Sequence, residues 1–157
     1  MIDMAEIDGI EDWLIGQALG SPNMPTMFAE LCERLRDCHV PVDRAMIGWS
    51  VLHPLIEAEA AIWENGAALQ HEQIAHSAED TEDWLNSPIR SVLINREPVL
   101  RRRLANANAP TEFPLLTKLT GAGYTDYVVI TTEFEIPTIH DEISTSGIVV
   151  SWPTRRE

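Results

Sequence analysis

Residues that could bind a ligand are concentrated between Trp49 and Trp63, where His53 and Pro54 separate two segments that alternate as β-strands do. A strand-end imidazole flanked by two indoles can hydrogen-bond a buried ligand or titrate near neutral pH. The alternative is a structural histidine whose ring bonds the backbone at the Pro54 corner, because such local bonding is common at turns. The structural interpretation is favoured, and His53, Trp49 and Trp63 are kept as candidate ligand-binding residues.

Arg90 and Tyr127 are further candidates for ligand binding. Arg90 lies just inside a helix predicted to begin after Ser87, where the unpaired N–H groups of the first turn attract anions. It can equally pair with the acidic segment 79–83, and the shortage of positive charge in the chain favours that pairing. Tyr127 shares a strand face with Val129 and could line a cavity between a sheet and its covering helices.

Metal binding and catalysis have weaker support in the sequence. His71 and His76 are five residues apart, so they lack the i, i+4 spacing that places two ligands on one helical face. A zinc site with His53 would need tertiary coincidence, since neither His-Glu-x-x-His nor Cys-x-x-Cys is present. An acid–base enzyme would use His53 with Asp126 or Glu59. No nucleophile with a partnered base can be identified, so no catalytic residue is predicted. No metal ligand is predicted either, and the sequence leaves the cofactor undetermined.

The composition limits the class of partner. The chain has 157 residues, enough for one domain, and a net charge of −14. Nucleic-acid and membrane-surface binding are both driven by Lys and Arg, so this charge argues against them. The sequence has neither a signal peptide nor an apolar segment long enough to span a membrane, and we expect a cytoplasmic protein.

The first 42 residues are predicted to form two helices. Asn23 can cap the second helix, in which Phe28 and Leu35 lie on one apolar stripe. With only two heptads, that stripe is better explained by packing on a sheet than by a seam between subunits. Cys32 and Cys38 lie on this helix with α-carbons about 9 Å apart, too far for a disulfide, so both are expected to be reduced core residues.

The rest of the chain, 43–157, is predicted to form an antiparallel sheet. The segments 44–53 and 57–63 should pair as antiparallel strands joined at the Pro54 corner, and the second segment should end at a turn at Asn65-Gly66. The polar segment 67–85 is predicted to be a mobile connection. Further strands are predicted at 98–104, 125–134 and 147–152, further helices after Ser87 and after a Thr111 cap, and an acidic loop at 135–146. The triple arginine 101–103 is expected to balance carboxylates such as those of the 57–64 strand. This order indicates a single-domain α+β fold.

An ordered series of short motifs along this chain resembles a known family. The motifs are Leu52-His53-Pro54, Ser87-Pro88, Arg101-Arg102-Arg103-Leu104, Phe113-Pro114 and Gly123-Tyr124-Thr125-Asp126-Tyr127. Together they resemble the N-terminal regulatory region of bacterial class III adenylate cyclases, which is a GAF-like or PAS-like sensor module. The resemblance covers nearly the whole chain.

The resemblance implies a regulatory role for the chain. Residues 43–157 would be a GAF-like sensor core, cut before its final helix, and 1–42 would hold dimerisation helices. A small molecule or the dimer geometry would control a C-terminal cyclase domain in the parent protein. Class III cyclases need a pair of metal-binding aspartates on a ferredoxin-like domain, and this chain does not supply that set. The sequence therefore predicts a non-catalytic sensor domain, with a stand-alone ligand-binding or metal-binding module as the alternative.

Overall fold

One antiparallel sheet organises the structure. The computed structural model describes residues 4–105, 108–133 and 147–154, and in these residues six strands pair in the order β3-β2-β1-β6-β5-β4. The strands are β1 Arg44–Ser50, β2 Ile56–Glu64, β3 Gln70–Ala75, β4 Val99–Arg103, β5 Asp126–Glu133 and β6 Gly147–Thr154. The helices are α1 Met4–Ala18, α2 Met24–Asp37, α3 Glu82–Leu85, α4 Pro88–Asn95 and α5 Pro114–Gly121. The predicted single-domain α+β fold is confirmed.

Helix α2 covers the β1–β2 half of one sheet face. The Asn23 side chain accepts a hydrogen bond from the Thr26 N–H at 3.0 Å, which satisfies one of the free donors of the first turn. Phe28 and Cys32 are buried against strand residues that include Ile47 and Trp63. The predicted cap and the predicted packing of the α2 stripe on a sheet are both confirmed.

Helices α4 and α5 cover the β4–β5 half of the opposite face. Ile47 is in register with position 150, and position 150 with Ile130, so Ile47 and Ile130 belong to one face. Val129 therefore lies on the other face, because successive strand residues alternate. There it is fully buried in a second cluster that also contains Val92, Leu116 and Tyr127. Helix α2 covers the β1–β2 half of one face, and α4 and α5 cover the β4–β5 half of the opposite face. Each face therefore has a half over which these helices do not pack.

Several local predictions were wrong. The polar segment 67–85 contains an edge strand, β3, as well as α3; its residues are all exposed, so no apolar alternation marked the strand. Helix α5 is preceded by Phe113, which makes no side-chain cap, and Thr111 lies outside it. Strand β1 ends at Ser50, which leaves His53 in the connection to β2. The acidic loop 135–146 is outside the described residues.

The triple arginine also has partners other than those predicted. Arg101 pairs with Asp126 on the neighbouring strand β5, and Arg102 pairs with Glu112. The expected partners in strand β2 are too distant, because β4 and β2 lie in opposite halves of the sheet. The two predicted cysteines agree with the structure: both are free and buried.

Candidate functional site

A cavity of about 190 Å³ lies between the sheet and helices α3 and α4, and its lining is mainly apolar. Its floor belongs to the sheet face that α4 and α5 cover over β4 and β5, and extends onto strands β1 and β2. The residues on the floor are Met46, Gly48, Ser50, Ala58, Ala60 and Thr131.

Gly48 is the main reason for the space above the floor. It lies in the middle of β1, in continuous register with Ala60 of β2 and with position 149 of β6, so it does not serve a β-bulge. A glycine inside a regular strand weakens it and often marks a close approach of another group. Among the described residues, a Cβ added here would meet Met46 Sδ and the Glu59 carbonyl oxygen, both at 3.8 Å, which is ordinary contact. A methyl group at this position is therefore compatible with the backbone.

The walls of the cavity come from three elements. Ile89 and Leu93, four residues apart on α4, present adjacent side chains to it. Trp84 of α3 and Ile74 of the edge strand β3 complete the wall, and both are more than a third exposed. Helix α3, which carries Trp84, is a single turn of four residues capped by Thr81. It is the shortest of the elements that form the cavity wall.

The charged side chains that line the cavity are acidic. Glu57, Glu59 and Glu133 are among its lining residues, whereas no Lys, Arg or His in the described part of the chain is. Glu57 and Glu133 are exposed, so they lie where the cavity meets solvent. The Glu59 carboxylate is already engaged by Gln73 Nε2 at 2.9 Å and by the His71 ring at 3.4 Å. An apolar chamber with two carboxylates at its opening is what the structure provides.

Of the five predicted ligand-binding residues, Trp49 is the one that borders this cavity, but its alternation with Gly48 along β1 places its indole on the opposite sheet face, where it packs against the α2 cluster. Its indole also stacks on the His71 ring, with centroids 6.2 Å apart and planes 11° from parallel. Together with Glu59 and Gln73, these rings form a polar cluster that joins β1, β2 and β3. No sequence pattern indicated this cluster, because His71 belongs to strand β3, which was not predicted.

The other four predicted residues lie elsewhere. His53 is exposed, and its Nδ1 accepts a hydrogen bond from the Leu55 N–H at 3.1 Å, the local backbone contact expected of a structural histidine. Trp63 is buried under α2 on the other sheet face, and Tyr127 is buried in the core beneath α4 and α5. Arg90 lies on the side of α4 away from the cavity, in a groove with Glu112. The structure therefore does not bring the five residues into one site.

The carboxylates considered as acid–base partners of His53 have other roles. Asp126 accepts hydrogen bonds from the Arg101 guanidinium, and this pairing lowers the pKa of the Asp126 carboxyl. Glu59 is bound by Gln73 and His71 as described. Within the ranges that the structure describes, no three His, Cys, Asp or Glu residues are placed to hold a metal ion.

Comparison with known proteins adds no family assignment: no protein-family model matches the chain, and no curated protein matches it. The resemblance to cyclase regulatory regions therefore stays a prediction. None of the helices in the described part of the chain is both long enough and apolar enough to cross a membrane.

Sequence reasoning missed the residues that make the cavity. Gly48 faces Ala60 across the β1–β2 ladder, and Ala58 is the next residue on the same face of β2. A strand pair that is small at three neighbouring positions is the signal that could have been recognised. No sequence pattern marked Trp84, because its place in the cavity wall depends on how the polar segment 67–85 folds over the sheet.

Proposed function

We propose that this chain is a non-catalytic sensor domain that binds a small molecule with an apolar body in the Gly48 cavity. The observation that carries the proposal is a mainly apolar cavity whose floor has glycine or alanine at three neighbouring strand positions, Gly48, Ala58 and Ala60. Deep apolar pockets with a few polar groups are the usual form of small-molecule sites. The sequence resemblance to cyclase regulatory modules supports the same role.

The size of the cavity limits the ligand. An engineered apolar cavity of roughly 150 Å³ binds benzene, and this one measures about 190 Å³. The enclosed part of the ligand is therefore a single ring or a short branched chain. Any further group must extend through the opening, beside Glu57 or Glu133.

A ligand in this position would contact both the sheet and the helices above it. It would contact the sheet through Gly48 and Ala60, and helices α4 and α3 through Leu93 and Trp84. A ligand that prefers one arrangement of α3 and α4 would shift the population toward it. In a cytoplasmic adenylate cyclase parent, that shift would reach the catalytic domain, with a homodimer formed through residues 1–42.

The first experiment locates binding. Titration of the ¹⁵N-labelled protein with phenol, indole and 2-phenylethanol should give saturable amide shifts at Gly48, Ala60 and Leu93. Amides of helix α2, such as that of Cys32, should change less because they lie beyond the other face of the sheet. Gly48→Val should abolish the response by filling the floor. Gly121→Ala, a glycine change on α5 outside the cavity, should leave it intact.

Two results would overturn the proposal. One is the absence of saturable shifts with all three molecules. The other is an unchanged response in Gly48→Val, because a ligand in this cavity cannot share its floor with a valine side chain.

The dimer is tested separately by sedimentation equilibrium of the purified chain, where a monomer at all concentrations would exclude dimerisation by these residues alone.

A further inference from the structure

We propose that the ligand of the Gly48 cavity is a small organic cation, a protonated amine carried on one ring or a short apolar chain. This inference rests on the proposed function, since it names the chemical class that the same cavity selects. It depends on three independent features: the carboxylates at the opening, an indole in the wall and the net negative charge of the whole chain.

The charges at the opening come from Glu57 and Glu133. Glu133 is two residues from Thr131 along β5, so alternation places both on the cavity side of the sheet. Glu57 reaches the cavity at the point where the β2–β3 register shifts, between Ile56 and Ala58. Because none of the described lining residues is basic, an anionic ligand would meet carboxylates without a balancing positive charge, whereas an ammonium group would be stabilised by the carboxylate beside it.

The wall supplies the second feature. Trp84 lies in the wall and remains 37% exposed, so an indole surface is available near the opening. Tryptophan is the strongest aromatic partner for a cation, through the negative face of its ring. An ammonium ion beside Glu57 or Glu133, with its apolar body over Gly48 and the Trp84 indole in the wall, would meet groups of complementary charge and polarity.

The charge of the chain is the third feature. With 25 acidic and 11 basic residues the net charge is −14, which raises the local concentration of cations and disfavours the approach of anions. Phosphorylated and carboxylated metabolites are therefore poor candidates for this site.

The test uses three molecules of nearly the same shape and different charge: 2-phenylethylamine, 2-phenylethanol and 3-phenylpropionate. Calorimetric titration should show the amine binding roughly five- to thirtyfold more tightly than the alcohol, as expected for one cation–π contact plus solvent-exposed ion pairs. The carboxylate should bind more weakly than the alcohol. Added salt should reduce the preference for the amine without changing the affinity for the alcohol.

Matched variants identify the groups responsible. Glu57→Gln and Glu133→Gln should each reduce the preference for the amine and leave alcohol binding unchanged. Glu64→Gln is the control, because it removes the same charge from the other end of strand β2, outside the cavity. Thermal unfolding of each variant establishes that the fold is kept.

The outcomes separate this inference from the proposed function. Equal binding of amine and alcohol at the Gly48 amide, unaffected by the two glutamate changes, would refute the cation preference and keep the sensor cavity. Tighter binding of 3-phenylpropionate would refute it in the same way. Failure of all three molecules to bind would instead remove the proposed function.

Discussion

Filling the cavity at Gly48 should make the protein more stable while it removes ligand binding. Most changes that abolish a function do so by damaging the fold, and the opposite result here would be diagnostic. The reason lies in the two contacts at 3.8 Å that a Cβ at this position would make, which leave the backbone undisturbed. Valine is also among the residues that strands favour.

The magnitude follows from two terms. Replacing a strand glycine removes about 0.5–1 kcal/mol of backbone entropy cost. The three added carbons could contribute up to about 0.8 kcal/mol each if fully buried, and about half of that in a cavity that opens to solvent. Allowing for some strain on packing, Gly48→Val should raise the free energy of unfolding by about 1–2 kcal/mol, or the melting temperature by roughly 2–8 °C.

The assay is a graded series measured in two ways. Gly48→Ala and Gly48→Val should raise the unfolding temperature progressively, by calorimetry, while 2-phenylethanol affinity falls in the same order. Gly121→Ala should also raise stability, since alanine is the better helix former, but should leave affinity unchanged. Destabilisation of Gly48→Val, or parallel loss of affinity in Gly121→Ala, would refute the reasoning that the glycine serves the cavity.

Three other predictions test local structure. Asn23→Ala should lower the free energy of unfolding by about 1 kcal/mol through loss of the α2 cap, while Thr111→Ala, which removes no cap, should change it by less than about 0.5 kcal/mol; denaturant titration of both variants tests this, and equal effects would contradict it. Burial, together with the nearby Glu33 carboxylate, raises the pKa of the Cys32 thiol to about 12, so mass spectrometry should find Cys32 unalkylated by iodoacetamide in the native protein and alkylated after denaturation. Arg101 lowers the pKa of Asp126 in the folded state, so its stabilising effect is present above the unfolded carboxyl pKa of about 3.9 and is lost as the pH falls through the lower folded pKa. Arg101→Met should therefore be less stable than the wild type at neutral pH by thermal unfolding, with a deficit that disappears in acid; a deficit independent of pH would exclude this origin.

The parts of the fold that could be predicted are those decided within a few residues. The Asn23 cap of α2, the Ser87 cap of α4 and the turn at Gly66, which has a φ of +78°, were all specified by local chemistry. The pairing of β1 with β2 was predictable because a short turn leaves few other arrangements. Strand β3 was missed because an edge strand with both faces exposed has no hydrophobic alternation to detect.

The candidate site could not be predicted in the same way. The sequence singled out His53 and Tyr127 by residue type, and the structure places one at an exposed turn and the other in the core. What makes the site is the near absence of side chains at Gly48 and Ala60, and small residues attract no attention until something is known to lie above them. Only the tertiary structure shows that residues of α3 and α4 line one cavity with Gly48 and Ala60.

The sequence by itself determined the α+β class, most of the elements and the acidic character of the molecule, because periodicity, capping and charge are properties of neighbouring residues. Only the tertiary structure decided which sheet face each helix covers and where the covering stops. Those outcomes depend on strand order, and strand order joins positions such as Met46 and position 151 that are far apart in the chain. The Gly48 cavity exists because the two helical layers are diagonal across the sheet, and local sequence carries no record of that arrangement.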